Sequence, residues 1–181
     1  GANRILDAAG NALAADYVWN FTTGETVNTG DPNQGPGGPI LVISSSGNPF
    51  SRYYAEILRA EGLNAFYVMD ISSVNSTVLN SYDVVLLGEM GVDASQVTML
   101  TNWVNAGGTL VTFKPHSSLL PLLGLSSAGG STLADRYLLV NTASGPGVGI
   151  VNQTIQYHGT ADLYNLNGAT SAATIYSGAS T

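Results

Sequence analysis

Pro39-Ile40-Leu41-Val42-Ile43 runs directly into Ser44-Ser45-Ser46-Gly47-Asn48-Pro49, and this join decides the fold. A short apolar run closed by a proline on one side and a Ser/Gly turn on the other suits a strand buried on both faces, as in a parallel sheet. Asn48 then offers a helix N-cap, and Pro49 takes the first helical position, where a missing N–H is harmless. Beyond it Tyr53, Ile57, Leu58 and Ala60 fall at helical spacing, and Gly62 supplies the stop.

The alternation continues outward. Residues 65–69 read as a second strand, 73–79 as a short helix and 83–88 as a third strand. Asp93 with Gln96 three residues later forms a capping-box signature ahead of a stripe at Val97, Leu100, Thr101 and Val104. Gly107-Gly108 ends that helix, 109–113 is a fourth strand, and 116–125 reads as a helical turn. Strands over 136–140, 150–157 and 173–176 complete a β-like tail. Strand–helix–strand units imply an α/β fold with helices on both faces and right-handed crossovers. The expected architecture is a flavodoxin-like three-layer parallel sheet in the order 2-1-3-4, with the C-terminal strands added at its edge.

Toward the N-terminus the character changes. Asp7-Ala-Ala-Gly10-Asn11 is a turn, and Tyr17, Trp19 and Phe21 alternate as the aromatic face of a strand. The pattern from Asp7 through Asp16-Tyr17-x-Trp19-x-Phe21-Thr22-Thr23-Gly24 resembles the last hairpin of bacterial Ig-like domains. Such a sandwich needs about seven strands, so residues 1–24 read as the terminal hairpin of a module whose remainder is absent. Their aromatic strip is the face of that lost core, with a sugar-stacking platform as the other reading. Residues 25–38 are Gly/Pro/Asn/Thr-rich and read as a linker. Asp31 and Asn33 lack EF-hand spacing, so linker composition explains them better than Ca²⁺ binding. Residues 39–181 form the α/β domain, whose polar end suggests truncation, so that residues further on in a parent chain would complete a site.

Residues 39–125 resemble the class I glutamine amidotransferase-like superfamily. The resemblance lies in Ile40–Ile43, in Tyr82-Asp83-Val84-Val85-Leu86-Leu87-Gly88, and most specifically in Leu100-x-x-Trp103-Val104-x-x-Gly107-Gly108-Thr109-Leu110-Val111. Members carrying that last stretch often sit within large secreted bacterial proteins beside Ig-like modules, which agrees with the N-terminal hairpin. The resemblance therefore implies a secreted or cell-surface location, with other domains of the same parent chain as partners. Active members use a cysteine nucleophile on a sharp turn after a strand, with a His and a Glu or Asp. The chain has no cysteine, so none of its residues can be assigned that role and glutamine hydrolysis is not implied.

Composition narrows the remaining options. Only 9% of the 181 residues are charged, against about 25% in ordinary soluble proteins. Twelve acidic residues face five basic ones, for a net charge of −7, and Lys114 is the only lysine. A nucleic-acid-binding face is excluded, and no apolar run nears the roughly 20 residues of a membrane span. No cysteine means no disulfide and no thiolate metal site. The sequons at Asn20, Asn75 and Asn152 follow from Asn/Ser/Thr-rich composition and matter only in a glycosylating host.

In an open α/β sheet, ligands bind outside the carboxyl ends of the strands, where the strand order reverses. Ser45 and Ser46 leave the first strand, Glu89 the third, and His116 follows the fourth, so these four are the catalytic candidates. A Ser–His–acid group would need hydroxyl and imidazole within about 3 Å; otherwise the serines cap the following turn and His116 lies on the surface. Ser44, Gly47 and Asn48 are ligand-binding candidates on the same loop, with His158 and Asp162 as a second polar pair. Those two are four apart, a helical spacing, but Gly159 and the alternation before it favour strand then turn. The expected function is a non-catalytic scaffold or ligand-binding module for carbohydrate or a small molecule, with no cofactor and no metal. Two alternatives stay open. One is a hydrolase of non-cysteine chemistry. The other is a flavin binder using Ser44–Asn48 as a phosphate loop, which Pro49 and Phe50 disfavour.

Overall fold

A computed structural model describes residues 38–131, 134–143 and 145–179. The hairpin read over 1–24, with Tyr17, Trp19 and Phe21, lies outside them, as does the linker up to residue 37 with Asp31 and Asn33.

The domain opens with β1 (Ile40–Ser44), a 3-10 turn (Pro49–Arg52) and α1 (Tyr53–Ala60). Then come β2 (Phe66–Asp70), α2 (Ser76–Leu79), β3 (Val84–Leu87), α3 (Ala94–Asn105) and β4 (Thr109–Thr112). The four strands form one parallel sheet in the order β2-β1-β3-β4, with Ile40 level with both Phe66 and Val84. The fold is α/β, and its sheet order is the one expected.

The apolar run that signalled β1 is explained by its surroundings. Leu41, Val42 and Ile43 are all fully buried. Leu41 and Ile43 join Leu79, Val85, Leu87, Leu100, Trp103 and Leu119 on the face covered by α2 and α3. Val42 points the other way, into Ala55, Leu58, Phe66 and Val68 beneath α1. Each such side chain contributes about 1.5–3 kcal/mol by leaving water, so polar substitution at any of them would break the sheet centre.

Local signals place the helix ends. Asn48 Oδ1 accepts the Phe50 N–H at 3.1 Å, capping the turn that Pro49 starts. The capping box of α3 is complete, since Asp93 Oδ1 accepts the Gln96 N–H at 2.8 Å and Gln96 Oε1 accepts the Asp93 N–H at 2.9 Å. Gly107, at φ 110°, turns the chain out of α3. A Cβ on Gly108 would overlap the Trp103 indole, so the Trp-to-Gly-Gly spacing is a packing requirement. Trp103 is a core residue that the expected stripe omitted, whereas Thr101 is only half-buried.

The tail departs from expectation. Its strands do not extend the parallel sheet; they form two separate antiparallel sheets. β5 (Leu125–Ser131) pairs with β8 (Asp162–Leu166). β6 (Arg136–Val140) lies between β7 (Ile155–Tyr157) and β9 (Ala173–Tyr176). Among the described residues no α-helix follows β4 to carry a parallel crossover, so the tail strands pair antiparallel, and strands close in sequence such as β5 and β6 or β7 and β8 fall in different sheets. The strand expected over 150–157 shortens to Ile155–Tyr157 because Ile150 belongs to the turn after a 3-10 turn at Gly145–Gly147. The helical turn expected over 116–125 is a 3-10 turn at Ser117–Leu119 with further turns, and Leu125 already starts β5.

Candidate functional site

The loops leaving β1, β3 and β4 meet at the carboxyl edge of the sheet. Ser44 is fully buried at the end of β1, and its hydroxyl donates to the Met69 carbonyl at 3.4 Å, tying β1 to β2. The next turn is held from within: the Ser45 N–H donates to Ser51 Oγ at 2.9 Å, and Ser45 Oγ accepts the Gly47 N–H at 3.2 Å. The Ser46 N–H donates to Asp70 Oδ2 at 2.8 Å, fastening the turn to the end of β2. Asn48 reaches across the reversal of strand order, its Nδ2 donating to the Glu89 carbonyl at 2.9 Å.

Glu89 Oε1 in turn lies 2.8 Å from Lys114 Nζ, with both side chains about half exposed. Lys114 stands in the sharp turn after β4, with the left-handed φ of 45° that a side-chain-bearing residue rarely adopts. Beneath it Tyr54 of α1 stacks on Phe113, ring centroids 3.9 Å apart and planes at 15°. Gly88 permits this closeness, since a Cβ there would press on Ser51 and the Tyr54 ring. From the C-terminal part, β8 brings Asp162 and Tyr164, and the Tyr164 hydroxyl donates to Asp162 Oδ2 at 3.3 Å.

These groups act on one another electrostatically. The hydrogen bond that Lys114 donates to Glu89 raises its ammonium above the ordinary range, with Asp162 and Tyr164 adding to the effect. Burial, then Glu89, raises the Tyr54 phenol, and burial, then Asp162, raises Tyr164. Asp70 is pushed down by the N–H and hydroxyl of Ser72, assisted by the Ser46 N–H. Thr112 Oγ1, at the end of β4, is buried with no hydrogen-bond partner among the described residues.

The candidate residues therefore separate into groups. The turn carrying Ser45, Ser46, Gly47 and Asn48 is joined to Glu89 through Asn48. His116 pairs with Ser118, Nδ1 to Oγ at 2.7 Å, and neither Ser45 nor Ser46 is hydrogen-bonded to an imidazole among the described residues. His158 and Asp162 are not on a helix: His158 Nδ1 lies 2.7 Å from Asp135 Oδ1, while Asp162 opens β8. Strand-then-turn is the better description there. Sequence reasoning missed Lys114, Tyr54 and Tyr164 as members of the edge. The available signal was a sole lysine placed just after a strand and before Pro115.

The edge offers one ammonium, the carboxylates of Asp70, Glu89 and Asp162, phenols and the Asn48 amide, a set suited to holding a polar ligand. A lysine kept protonated is a poor nucleophile. Among the described residues no three or more His, Cys, Asp or Glu side chains gather to hold a metal ion, and no helix is long and apolar enough to cross a membrane. No family model matches the chain, and no curated protein matches it.

Proposed function

We propose that residues 39–181 form a flavodoxin-like, amidotransferase-like module that binds a ligand and does not cleave it, within a large secreted bacterial protein whose other domains are its partners. The ligand is a carbohydrate or another small polar molecule, taken at the carboxyl edge. One observation carries the reading. In the superfamily the chain resembles, the nucleophile is a cysteine on a sharp turn after a strand; here the sharp turn after β4 holds Lys114, clamped to Glu89 at 2.8 Å. The bonding of the serine turn supports it too, because Ser45 Oγ accepts the Gly47 N–H within the loop and the Ser46 N–H fastens the loop to Asp70 of β2.

The test has two arms. A fluorophosphonate probe and a panel of chromogenic esters should give no labelling and no turnover. A glycan and small-metabolite binding panel should give hits that weaken in Lys114→Ala and Glu89→Gln. Covalent labelling of Ser45 or Ser46 that His116→Ala abolishes would overturn the proposal and establish the hydrolase. A yellow protein releasing flavin on denaturation would instead favour the flavodoxin reading.

A further inference from the structure

At the opposite, amino edge of the sheet a cleft of 360 Å³ opens where β3 and β4 begin and α3 ends. That is within the span of small-molecule sites, about 300–1,000 Å³. Asn80, Tyr82, Asp83, Trp103, Gly107 and Thr109 are in its wall. The frame is fixed by backbone bonds: the Asp83 N–H donates to the Pro39 carbonyl at 2.9 Å, the Thr109 N–H to the Asp83 carbonyl at 3.0 Å, and the Gly108 N–H to the Trp103 carbonyl at 3.1 Å.

The electrostatics of this wall have one sign. The Asp83 carboxylate has no hydrogen-bond or ion-pair partner among the described residues, and neither does the Asn80 side chain. No Lys, Arg or His lines the cleft. The carboxyl end of the 12-residue α3 enters it through Ala106 and Gly107, adding the partial negative charge of a helix C-terminus. An anion is repelled by both features, and a neutral hydroxyl compound can donate to Asp83 and Asn80 but forms no ion pair. A cation carrying N–H donors gains twice, through an ion pair with Asp83 and through N–H bonds to Asn80.

We infer that this amino-edge cleft is a binding site for a small organic cation bearing N–H donors, an alkylammonium or guanidinium group, with Asp83 as its counter-ion. The site is independent of the carboxyl edge and does not rest on the function proposed there.

The experiment follows the Trp103 indole N–H resonance of the full chain, assigned with Trp19→Phe, while n-butylammonium is titrated in. Tetramethylammonium, which has the charge but no N–H, and glucose serve as contrasts. The expected result is a saturable shift with butylammonium alone, weakened by salt and about fivefold by Asp83→Asn. Asn80→Ala removes a side chain that bonds nothing among the described residues, and it should weaken binding while leaving the circular dichroism unchanged. The inference is overturned by the absence of a saturable shift, by binding of glucose as tight as that of butylammonium, or by an undiminished response in Asp83→Asn. Should Asp83→Asn fail to fold, undiminished binding in Asn80→Ala overturns it equally.

Discussion

Lys114 shows how far a single residue can be read. Its left-handed backbone is unfavourable by about 1–2 kcal/mol for a side-chain-bearing residue, while its half-exposed ion pair with Glu89 returns at most about 1 kcal/mol. Lys114→Gly should therefore leave stability unchanged or raise it slightly, and Lys114→Val should lower it by about 2 kcal/mol, as read from urea unfolding midpoints. At Thr112 the hydroxyl is buried without a partner among the described residues. Thr112→Val keeps the shape and removes that group, so it should stabilise by about 1 kcal/mol; a loss of stability would show that the hydroxyl is bonded after all. Gly108→Ala should cost about 1–3 kcal/mol, since the new methyl must displace the Trp103 ring. Asn48 and Asp93 could be read from sequence because a cap acts within three residues. Lys114 and the Trp103–Gly108 contact could not, because their meaning depends on how strand, turn and helix fold back on one another.

At the scale of elements, the caps carry testable consequences. Asn48 both caps the turn before α1 and ties it to the loop after β3. Asn48→Ala should lose about 1–2 kcal/mol. Asn48→Ser keeps a capping oxygen and loses the amide donor to the Glu89 carbonyl, so thermal melts should place it between Ala and the parent. Asp93 is held below the ordinary carboxylate range by the Ser95 hydroxyl and the Gln96 N–H, and Asp70 by the N–H and hydroxyl of Ser72. Between the unfolded and folded values the unfolded chain carries more protons. The stabilisation is thus complete above the unfolded value and lost as pH falls through the folded one. Denaturation midpoints followed from neutral pH into acid should drop across that range, and Asp93→Ala should flatten the acid limb. β1 and β3 were legible because burial on both faces demands unbroken apolar runs. β5 was not: Leu-Ser-Ser-Ala-Gly-Gly-Ser carries neither alternation nor a β-branched residue, and only its pairing with β8 makes it a strand.

The whole molecule is uneven in its stability. The centre of the parallel sheet is sealed, with Leu41, Val42, Ile43 and Val85 at 0% exposure, whereas β5 is exposed over all but its first residue. Native-state hydrogen exchange should find β1 and β3 opening only with global unfolding, and β5 and β8 exchanging at much lower free energy. Uniform protection across both would contradict this picture. The order 2-1-3-4 was readable because strand–helix repeats leave few topologies. The two antiparallel sheets were not, because Gly/Ser/Asn-rich turns say that a chain reverses without saying which strand it returns to. The carboxyl edge was located by that order alone, but its occupants came partly from β8, a strand distant in sequence.

Among its side chains the protein carries a single ε-amine, and the fold sets it beside the crevice where β1 and β3 diverge. Amine-directed reagents thus have one lysine side chain to modify, and they need strongly alkaline solution to do so, because Glu89 holds that ammonium protonated. A fluorophore, a spin label or a surface tether attached there would report on, or block, the same crevice without any engineered handle.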